Sequence, residues 1–193
     1  MGNLYSVRNT LASLGIATDT IGFADRLMRY DKLILPGVGA FGDAMKELRQ
    51  RGFVGPVKEY IAAGRPFLGI CLGMQLLFEK SQESAGVEGL GVIAGTVRKF
   101  SGRLKIPHMG WNKIVRTSVR SRIFRSFKKD FYAYFCHSFF VAPTDKKVVI
   151  GETRYGIKFA SMVEEGNVYG MQFHPEKSQD VGWTLLRNFI EIC

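Results

Sequence analysis

A cysteine flanked by glycines is the residue in this chain best suited to nucleophilic chemistry. The segment Gly69-Ile70-Cys71-Leu72-Gly73 follows an apolar run and precedes a helical pattern, so it has the form of a nucleophile elbow. Such a turn holds the nucleophile in a strained conformation, and glycine leaves room for it on either side. At a helix N-terminus, the helix dipole favours the thiolate of Cys71. The alternative is an unreactive cysteine packed between helix and sheet.

A histidine and a glutamate two residues apart supply the other groups that a cysteine nucleophile needs. In the extended segment His174-Pro175-Glu176 the two side chains share a face, and Pro175 favours the extended backbone. His174 can accept the thiol proton and return it to a leaving group, while Glu176 holds the imidazole in place. We therefore predict a Cys71–His174–Glu176 triad. The alternative is a turn at a strand end with a surface glutamate.

The elements that must position these residues alternate between helical and strand periodicity, as in a three-layer α/β domain. We predict a helix from Asn3 to Leu14, a short strand from Ile16 to Ile21, and a buried strand from Pro66 to Ile70. A helix through Glu79 follows Cys71. We find no internal repeat or linker, so one domain over residues 1–193 is predicted.

The second half of the chain is predicted to be richer in strands. One long strand is expected from Phe131 to Phe140, and a closing helix from Val181 to Ile192. A spacing of four residues predicts one short helix ahead of this strand, within the basic segment Arg98 to Lys129, formed by Val119, Ile123 and Phe127.

The positive charge of the chain is concentrated in one region. The sequence has a formal net charge of +10, from 27 Lys and Arg against 17 Asp and Glu. From Arg98 to Lys129 there are 11 Lys and Arg and no acidic residue, so the rest of the chain is close to neutral. This basic block is able to attract nucleic acid, a phosphorylated ligand or an acidic protein, or it is a solvated face without a specific ligand.

Cysteine and histidine usage limits the other classes of function. Cys71, Cys136 and Cys193 are an odd number of cysteines, which favours reduced thiols and a cytoplasmic location. With three histidines and no metal-ligand spacing, we expect no metal site, and the chemistry requires no cofactor. The apolar runs are shorter than the roughly 20 residues of a membrane span, so we expect no membrane association.

Longer segments around the candidate residues resemble a known family. The run Pro66 to Leu77, together with Phe173 to Glu176, resembles the triad glutamine amidotransferases, which hydrolyse glutamine to glutamate and ammonia. Leu35 to Phe41, Pro107 to Asn112 and His174 to Ser178 further resemble the glutaminase subunits of imidazole glycerol phosphate synthase, an enzyme of histidine biosynthesis. The resemblance implies a class I glutamine amidotransferase domain. This is a flavodoxin-like α/β fold with a mixed, largely parallel central sheet and added β-strands in the C-terminal half.

The resemblance also implies a thioester mechanism with glutamine as the substrate. Cys71 attacks the side-chain amide, His174 protonates the departing ammonia, and water hydrolyses the thioester. The backbone amide of Leu72 and, after a backbone rearrangement, that of Val38 hold the oxyanion. The residues implied in binding glutamine are Gln75, Glu83, Ser138 and Phe139.

A partner protein is implied as well. Subunits of this family form a heterodimer with a (β/α)8-barrel cyclase, which receives the ammonia and forms imidazole glycerol phosphate and AICAR. The residues implied at the junction are Trp111, Asn112, Tyr134 and Lys177. The basic block would then face acidic groups of the cyclase, and no nucleic-acid partner is expected.

Other functions stay open at the level of sequence. A paralogous glutaminase would have the same catalytic half and would send ammonia to another synthase, such as one making a nitrogen-containing surface sugar. A cysteine peptidase would share the elbow, although Gln75 and Glu83 suit a free amino acid. A nucleic-acid-binding module lacks a helix-turn-helix, zinc or base-stacking motif. In the family a first β-strand precedes the residues that match Met1 to Leu4, and we expect this strand to be missing here.

Overall fold

The computed structural model describes residues 2–102, 104–118 and 120–193. Within these ranges the chain forms five α-helices: α1 Gly2–Ser13, α2 Phe41–Gln50, α3 Val54–Ala62, α4 Leu72–Leu76 and α5 Gln179–Ile192. The ten strands of the same ranges are β1 Leu33–Gly37, β2 Phe67–Cys71, β3 Phe78–Ser81, β4 Ile93–Lys99, β5 His108–Arg116, β6 Phe131–His137, β7 Phe139–Pro143, β8 Val149–Tyr155, β9 Ile157–Glu165 and β10 Val168–Met171.

All ten strands join in one mixed sheet. The main path runs β1-β2-β10-β9-β7-β4-β3, and β9 also pairs with β8, which continues through β5 to β6. Pairing is parallel from β1 to β2, from β2 to β10 and from β3 to β4, and antiparallel in the other pairs described. Gly37 lies opposite Cys71 at the carboxyl ends of β1 and β2. Open α/β sheets bind ligands at this edge.

Helices cover both faces of this sheet. Alternate residues of β2 belong to two separate cores, with Leu68 and Ile70 in one and Phe67 in the other, because side chains of a strand point to opposite faces. The first core is closed by α1 and α5, and the second by α2 and α3. The buried residues of these four helices are Val7, Leu11, Leu185, Leu186 and Phe189 on one side and Phe41, Met45, Val57 and Tyr60 on the other. The predicted three-layer α/β fold with added strands in the C-terminal half is confirmed.

The predicted strand from Ile16 to Ile21 is wrong. Residues 16–21 have no regular secondary structure, and residues 17–20 are exposed. The first strand described is β1, and among the described strands its neighbour is β2 alone. A strand needs a partner for its backbone N–H and C=O groups, and no described strand pairs with this segment.

The predicted helix after Cys71 is shorter than expected. It ends at Leu76, and residues 78–81 form strand β3. The amides of Leu90 and Val92 donate to the carbonyls of Leu76 and Leu77, both at 2.8 Å. These carbonyls are therefore satisfied by a distant loop instead of by further turns of helix.

Two other predicted elements differ from the structure. The long strand from Phe131 to Phe140 is broken at Ser138, so that β6 and β7 pair with different strands. In the basic block a short 3-10 helix, Arg122–Phe124, takes the place of the predicted helix, and Val119 lies outside the described residues. In the part of the chain that the structure describes, no helix has the length and apolar character to cross a membrane.

Candidate active site

Cys71 sits at a strained turn between β2 and α4. Its φ is 54° and its ψ is −109°, a backbone conformation that residues other than glycine rarely adopt. Strain of this kind persists only where the surrounding structure enforces it, and it is concentrated at functional sites. The elbow predicted from the glycine spacing is therefore present in the backbone.

Close packing explains why glycine flanks this turn. A Cβ atom at Gly69 would lie 2.6 Å from the carbonyl oxygen of Gly73, well inside ordinary van der Waals contact. A Cβ atom at Gly73 would collide with the carbonyl oxygen of Leu35 on β1. The two glycines thus let α4 approach β2 and β1 closely, which places the turn at the carboxyl edge of the sheet.

His174 and Glu176 form a buried pair next to this turn. His174 Nδ1 is 2.9 Å from Glu176 Oε1, and the two side chains are 3% and 0% exposed. The backbone around the pair is held by two hydrogen bonds. The His174 amide donates to the Tyr134 carbonyl at 2.9 Å, and the Ser178 hydroxyl donates to the His174 carbonyl at 2.7 Å. The strand β6 and the turn after β10 are thereby joined at the site.

The electrostatics of His174 suit a proton carrier. Burial lowers the pKa of His174, but side-chain hydrogen bonds with Cys71 and Glu176 outweigh burial and raise the pKa to about 10. The ring is therefore protonated at neutral pH. The structure brings together all three residues of the predicted triad.

Gln75 and Glu83, the two side chains expected to bind glutamine, are engaged within the chain. Gln75 Nε2 is 3.1 Å from the Phe139 carbonyl oxygen and 3.1 Å from Gln172 Oε1. Glu83 Oε2 accepts a hydrogen bond of 2.7 Å from the Phe41 amide at the start of α2. A carboxylate in this position stabilises the helix N-terminus. Substrate binding by either residue would have to replace these contacts.

The backbone groups expected at the site lie close to the elbow. Leu72 begins α4, and Val38 follows Gly37, whose missing Cβ would lie 3.1 Å from the Leu72 Cβ. The carbonyls of Ser138 and Phe139 both accept internal hydrogen bonds, from the Phe100 amide for Ser138 and from Gln75 for Phe139. Cys71 itself is only 6% exposed. The site is thus largely closed.

Three of the four residues expected at a partner junction lie together on one surface. The rings of Trp111 and Tyr134 meet edge to face with centroids 6.3 Å apart, and Lys177 Nζ lies 5.9 Å from the Tyr134 centroid. We call the exposed side of β5 and β6 that carries these rings the hairpin face. The fourth residue, Asn112, points away from this face, because neighbouring residues of a strand alternate.

The basic block does not form one surface. Lys113, Arg116, Lys128 and Lys129 line a cleft of about 590 Å³ beside the hairpin face. Arg122, in contrast, donates to Asn167 just before β10, at the opposite edge of the sheet from Cys71. Arg122 therefore lies apart from the cleft, and the expectation that the block faces acidic groups of a partner stays a prediction.

Sequence reasoning missed several polar residues near the nucleophile. Gln172 Nε2 is 3.8 Å from Cys71 Sγ, and Gln172 is fully buried. His108 and His137 face each other in the core between β5 and β6. A signal for Gln172 was its position as a lone polar residue in the apolar run Val168 to Phe173.

Among the described residues, no group of three or more His, Cys, Asp or Glu side chains is arranged to hold a metal ion.

A strained cysteine beside a buried histidine–glutamate pair, at the carboxyl edge of parallel strands, is the arrangement of a thiol-dependent hydrolase. Residues 2–193 match the family described as glutamine amidotransferase class-I. Two curated relatives are each named imidazole glycerol phosphate synthase subunit HisH. The protein from Sulfurimonas denitrificans is 49% identical over 98% of this chain and 93% of its own length. The protein from Wolinella succinogenes is 46% identical over 100% of this chain and 96% of its own length. The chain belongs to the class-I glutamine amidotransferase family, within its HisH branch.

Solved structures agree on the fold. A crystal structure of a glutamine amidotransferase superposes with a TM-score of 0.77 at 22% identity, covering 98% of this chain and 93% of that chain. The structure of PurLQS from Thermotoga maritima gives a TM-score of 0.77 at 19% identity, covering 96% of this chain and 91% of that chain. At these identities the comparison supports the fold alone.

Proposed function

We propose that this protein is the glutaminase subunit of an imidazole glycerol phosphate synthase in histidine biosynthesis. It hydrolyses glutamine to glutamate and ammonia and delivers the ammonia to a cyclase subunit. The observation that carries the proposal is the left-handed backbone of Cys71 next to the buried His174–Glu176 pair, in a chain of the HisH branch.

The first half of the reaction forms a thioester. Cys71 Sγ attacks the carboxamide carbon of glutamine, and the amides of Leu72 and Val38 stabilise the negative oxygen of the tetrahedral intermediate. His174 donates its proton to the amide nitrogen as the C–N bond breaks. Ammonia leaves, and a γ-glutamyl thioester on Cys71 remains.

The second half regenerates the enzyme. His174, now neutral, accepts a proton from water as the water oxygen attacks the thioester carbon. Collapse of the second tetrahedral intermediate releases glutamate and the Cys71 thiolate. Glu176 stays hydrogen-bonded to His174 Nδ1 throughout, so that Nε2 is the nitrogen that exchanges protons. No cofactor takes part.

The closed state of the site supports low activity in the absence of a partner. Gln75 is bound to the Phe139 carbonyl, and Glu83 is bound to the Phe41 amide, at 3.1 and 2.7 Å. Glutamine has to displace such contacts to be held by the same groups. We infer that the cyclase, once occupied by its own substrate, favours the open arrangement.

The hairpin face is the proposed docking site for the cyclase, which we propose to be a (β/α)8 barrel. Met109, Trp111 and Tyr132 are 61%, 48% and 57% exposed there. Exposed aromatic residues and methionine are typical of protein interfaces.

We also propose a cytoplasmic location, since all three cysteines of the chain are described and are free thiols.

The test is glutamate release from glutamine by the isolated protein, and by the protein with a cyclase and the ribonucleotide substrate of that cyclase. We expect strong stimulation by the occupied cyclase and complete loss in Cys71→Ala. Cys193→Ala is the matched control and should keep the stimulated rate. Full activity in Cys71→Ala, or no activity of the folded wild type with the cyclase, would contradict the proposal.

A further inference from the structure

Two buried histidines lie between the hairpin face and the nucleophile and have no part in the proposed reaction. His108 and His137 are directly opposite each other on β5 and β6 and are 3% and 5% exposed. His108 Nδ1 is 2.9 Å from His137 Nε2. A pair of imidazoles can share one hydrogen bond only if one nitrogen carries a hydrogen and the other does not.

The direction of this hydrogen bond is determined at the Phe139 end. His137 Nδ1 is 2.7 Å from the carbonyl oxygen of Phe139, which can only accept. The hydrogen of His137 is therefore on Nδ1, and Nε2 accepts. His108 must then donate from Nδ1, which leaves His108 Nε2 as an acceptor.

Asn112 determines the same direction from the other end. Its Nδ2 is 3.1 Å from His108 Nε2 and 3.0 Å from the carbonyl oxygen of Arg154. Its Oδ1 accepts from the Lys113 amide at 2.8 Å. Both backbone contacts require the same orientation of the side-chain amide, so Nδ2 is the donor to His108.

Both rings stay neutral and fixed in orientation. Burial lowers the pKa of His108 to about 4 and that of His137 to about 3, so each ring carries a single hydrogen at neutral pH. The His108 ring stacks on Tyr155 and Phe135, with centroids 4.1 and 4.8 Å away. A single directed path therefore leads from Asn112 through both rings to the Phe139 carbonyl.

The path continues from Phe139 to the nucleophile. The same carbonyl oxygen accepts from Gln75 Nε2, which is also 3.1 Å from Gln172 Oε1. Gln172 Nε2 in turn lies 3.8 Å from Cys71 Sγ. A change in how His137 binds the Phe139 carbonyl thus alters the contacts of two amides next to Cys71.

We propose that Asn112, His108 and His137 form a positioning relay that couples the β5 backbone under the hairpin face to the hydrogen bonding of Gln75 and Gln172 around Cys71. The relay deepens the proposed function and rests on it for the role of Cys71. Asn112 follows Trp111 in the chain, so a partner that moves this part of β5 also moves the first donor of the relay. All three members are positioning residues, because none of them touches the reacting atoms.

Asn112→Asp is the most direct perturbation. It keeps the shape of the side chain but replaces the donor to His108 with a carboxylate, which can only accept. A neutral His108 then donates from Nε2, and a hydrogen bond to a charged acceptor is about twice as strong as a neutral one. The direction of the whole relay is reversed, and an unprotonated His137 Nδ1 faces the Phe139 carbonyl. Two acceptors in contact repel, so the Phe139 carbonyl and Gln75 should move.

The spectroscopic test uses histidine labelled with ¹⁵N, since the chain has three histidines and three pairs of ring signals to assign. In wild type we expect the hydrogen on Nδ1 in both His108 and His137. In Asn112→Asp, measured at about pH 9 to keep His108 neutral beside the carboxylate, we expect the hydrogen on Nε2 in both rings. The wild-type spectrum tests the relay even if the variant does not fold, because Nε2–H on either ring contradicts it.

The functional test is the rate at which a small alkylating reagent modifies Cys71 in the isolated protein. We expect Asn112→Asp to change this rate by about five- to tenfold, as for the loss of about 1 kcal/mol of hydrogen bonding. With glutamine and the cyclase, kcat should change more than KM. Val115→Thr is the matched control, since it is a nearly isosteric change at an exposed position of the same strand and should leave the rate unchanged.

The outcomes separate the relay from the proposed function. Reversal of both rings together with a changed alkylation rate supports the relay. A change confined to His108, or reversal without any effect on Cys71, overturns it and leaves two ordinary core histidines. If wild type hydrolyses no glutamine with the cyclase, the proposed function fails, whereas the ring tautomers and the alkylation rate still decide the relay.

Discussion

The elbow should not tolerate a single additional methyl group at Gly69. A Cβ atom there would lie 2.6 Å from the Gly73 carbonyl oxygen and 2.7 Å from the Met74 amide nitrogen. Ordinary contact begins at 3.4 Å, so α4 would have to move away from β2 by about 0.8 Å. Cys71 and Leu72 link these two elements, and the displacement would reach both.

The cost of Gly69→Ala has two measurable parts. Overpacking of this kind costs about 1–3 kcal/mol, which lowers the Tm of a domain of this size by several degrees. A misplacement approaching 1 Å at reacting groups costs on the order of 100-fold in rate. We therefore expect a reduced Tm in thermal unfolding followed by circular dichroism, and a much larger loss in the rate of glutamate release.

Gly55→Ala is the matched control for this substitution. Gly55 lies in helix α3 and has no neighbouring atom within 4 Å of the position of a new Cβ. Alanine favours the helix over glycine, so this variant should be as stable as wild type or more stable, with full activity. If Gly69→Ala has the same Tm and the same activity as wild type, α4 does not approach β2 as closely as the elbow requires.

Three further predictions concern charges. His174→Gln removes a group whose pKa is raised from 6.5 to about 10. The free energy of unfolding of wild type should therefore exceed that of the variant by a margin that is fully present below pH 6.5 and disappears toward pH 10. Urea unfolding across this pH range measures the margin, and a margin that grows with pH would contradict the assigned shift. Glu83→Gln should lower the free energy of unfolding by about 0.3–1 kcal/mol, because a carboxylate is lost at the N-terminus of α2, and it should raise the KM for glutamine. The matched change Glu88→Gln, at an exposed position, should leave both the stability and the KM unchanged. Changing Lys128 and Lys129 to Glu should slow association with the cyclase and reduce its salt dependence if the cleft faces acidic groups; unchanged rates would show that these lysines are merely solvated.

The sequence predicts the catalytic core of the fold because the relevant signals are local. The glycines around Cys71 and the spacing of His174 and Glu176 determine backbone shape over a few residues. The structure brings these segments together because β2 and β10 are neighbours in the sheet. The buried apolar character of both strands was the only sequence signal for this pairing.

The features that sequence reasoning missed depend on contacts between distant segments. The helix after Cys71 ends early because amides of residues 90–93 take its carbonyls. Gln75 looked free to bind substrate, but β7 and the end of β10 bring the Phe139 carbonyl and Gln172 to its side chain. Hydrophobic periodicity carries no information about which strand lies next to which polar side chain.

The central claim is that Cys71 is the nucleophile toward glutamine. A chloroketone analogue of glutamine, followed by peptide mass mapping, tests it directly, because Cys136 and Cys193 provide internal controls in the same chain. We expect labelling of Cys71 alone, faster in the presence of the occupied cyclase and prevented by an excess of glutamine. Labelling of Cys136 or Cys193 at the same rate, or labelling of Cys71 that glutamine does not prevent, would contradict the account.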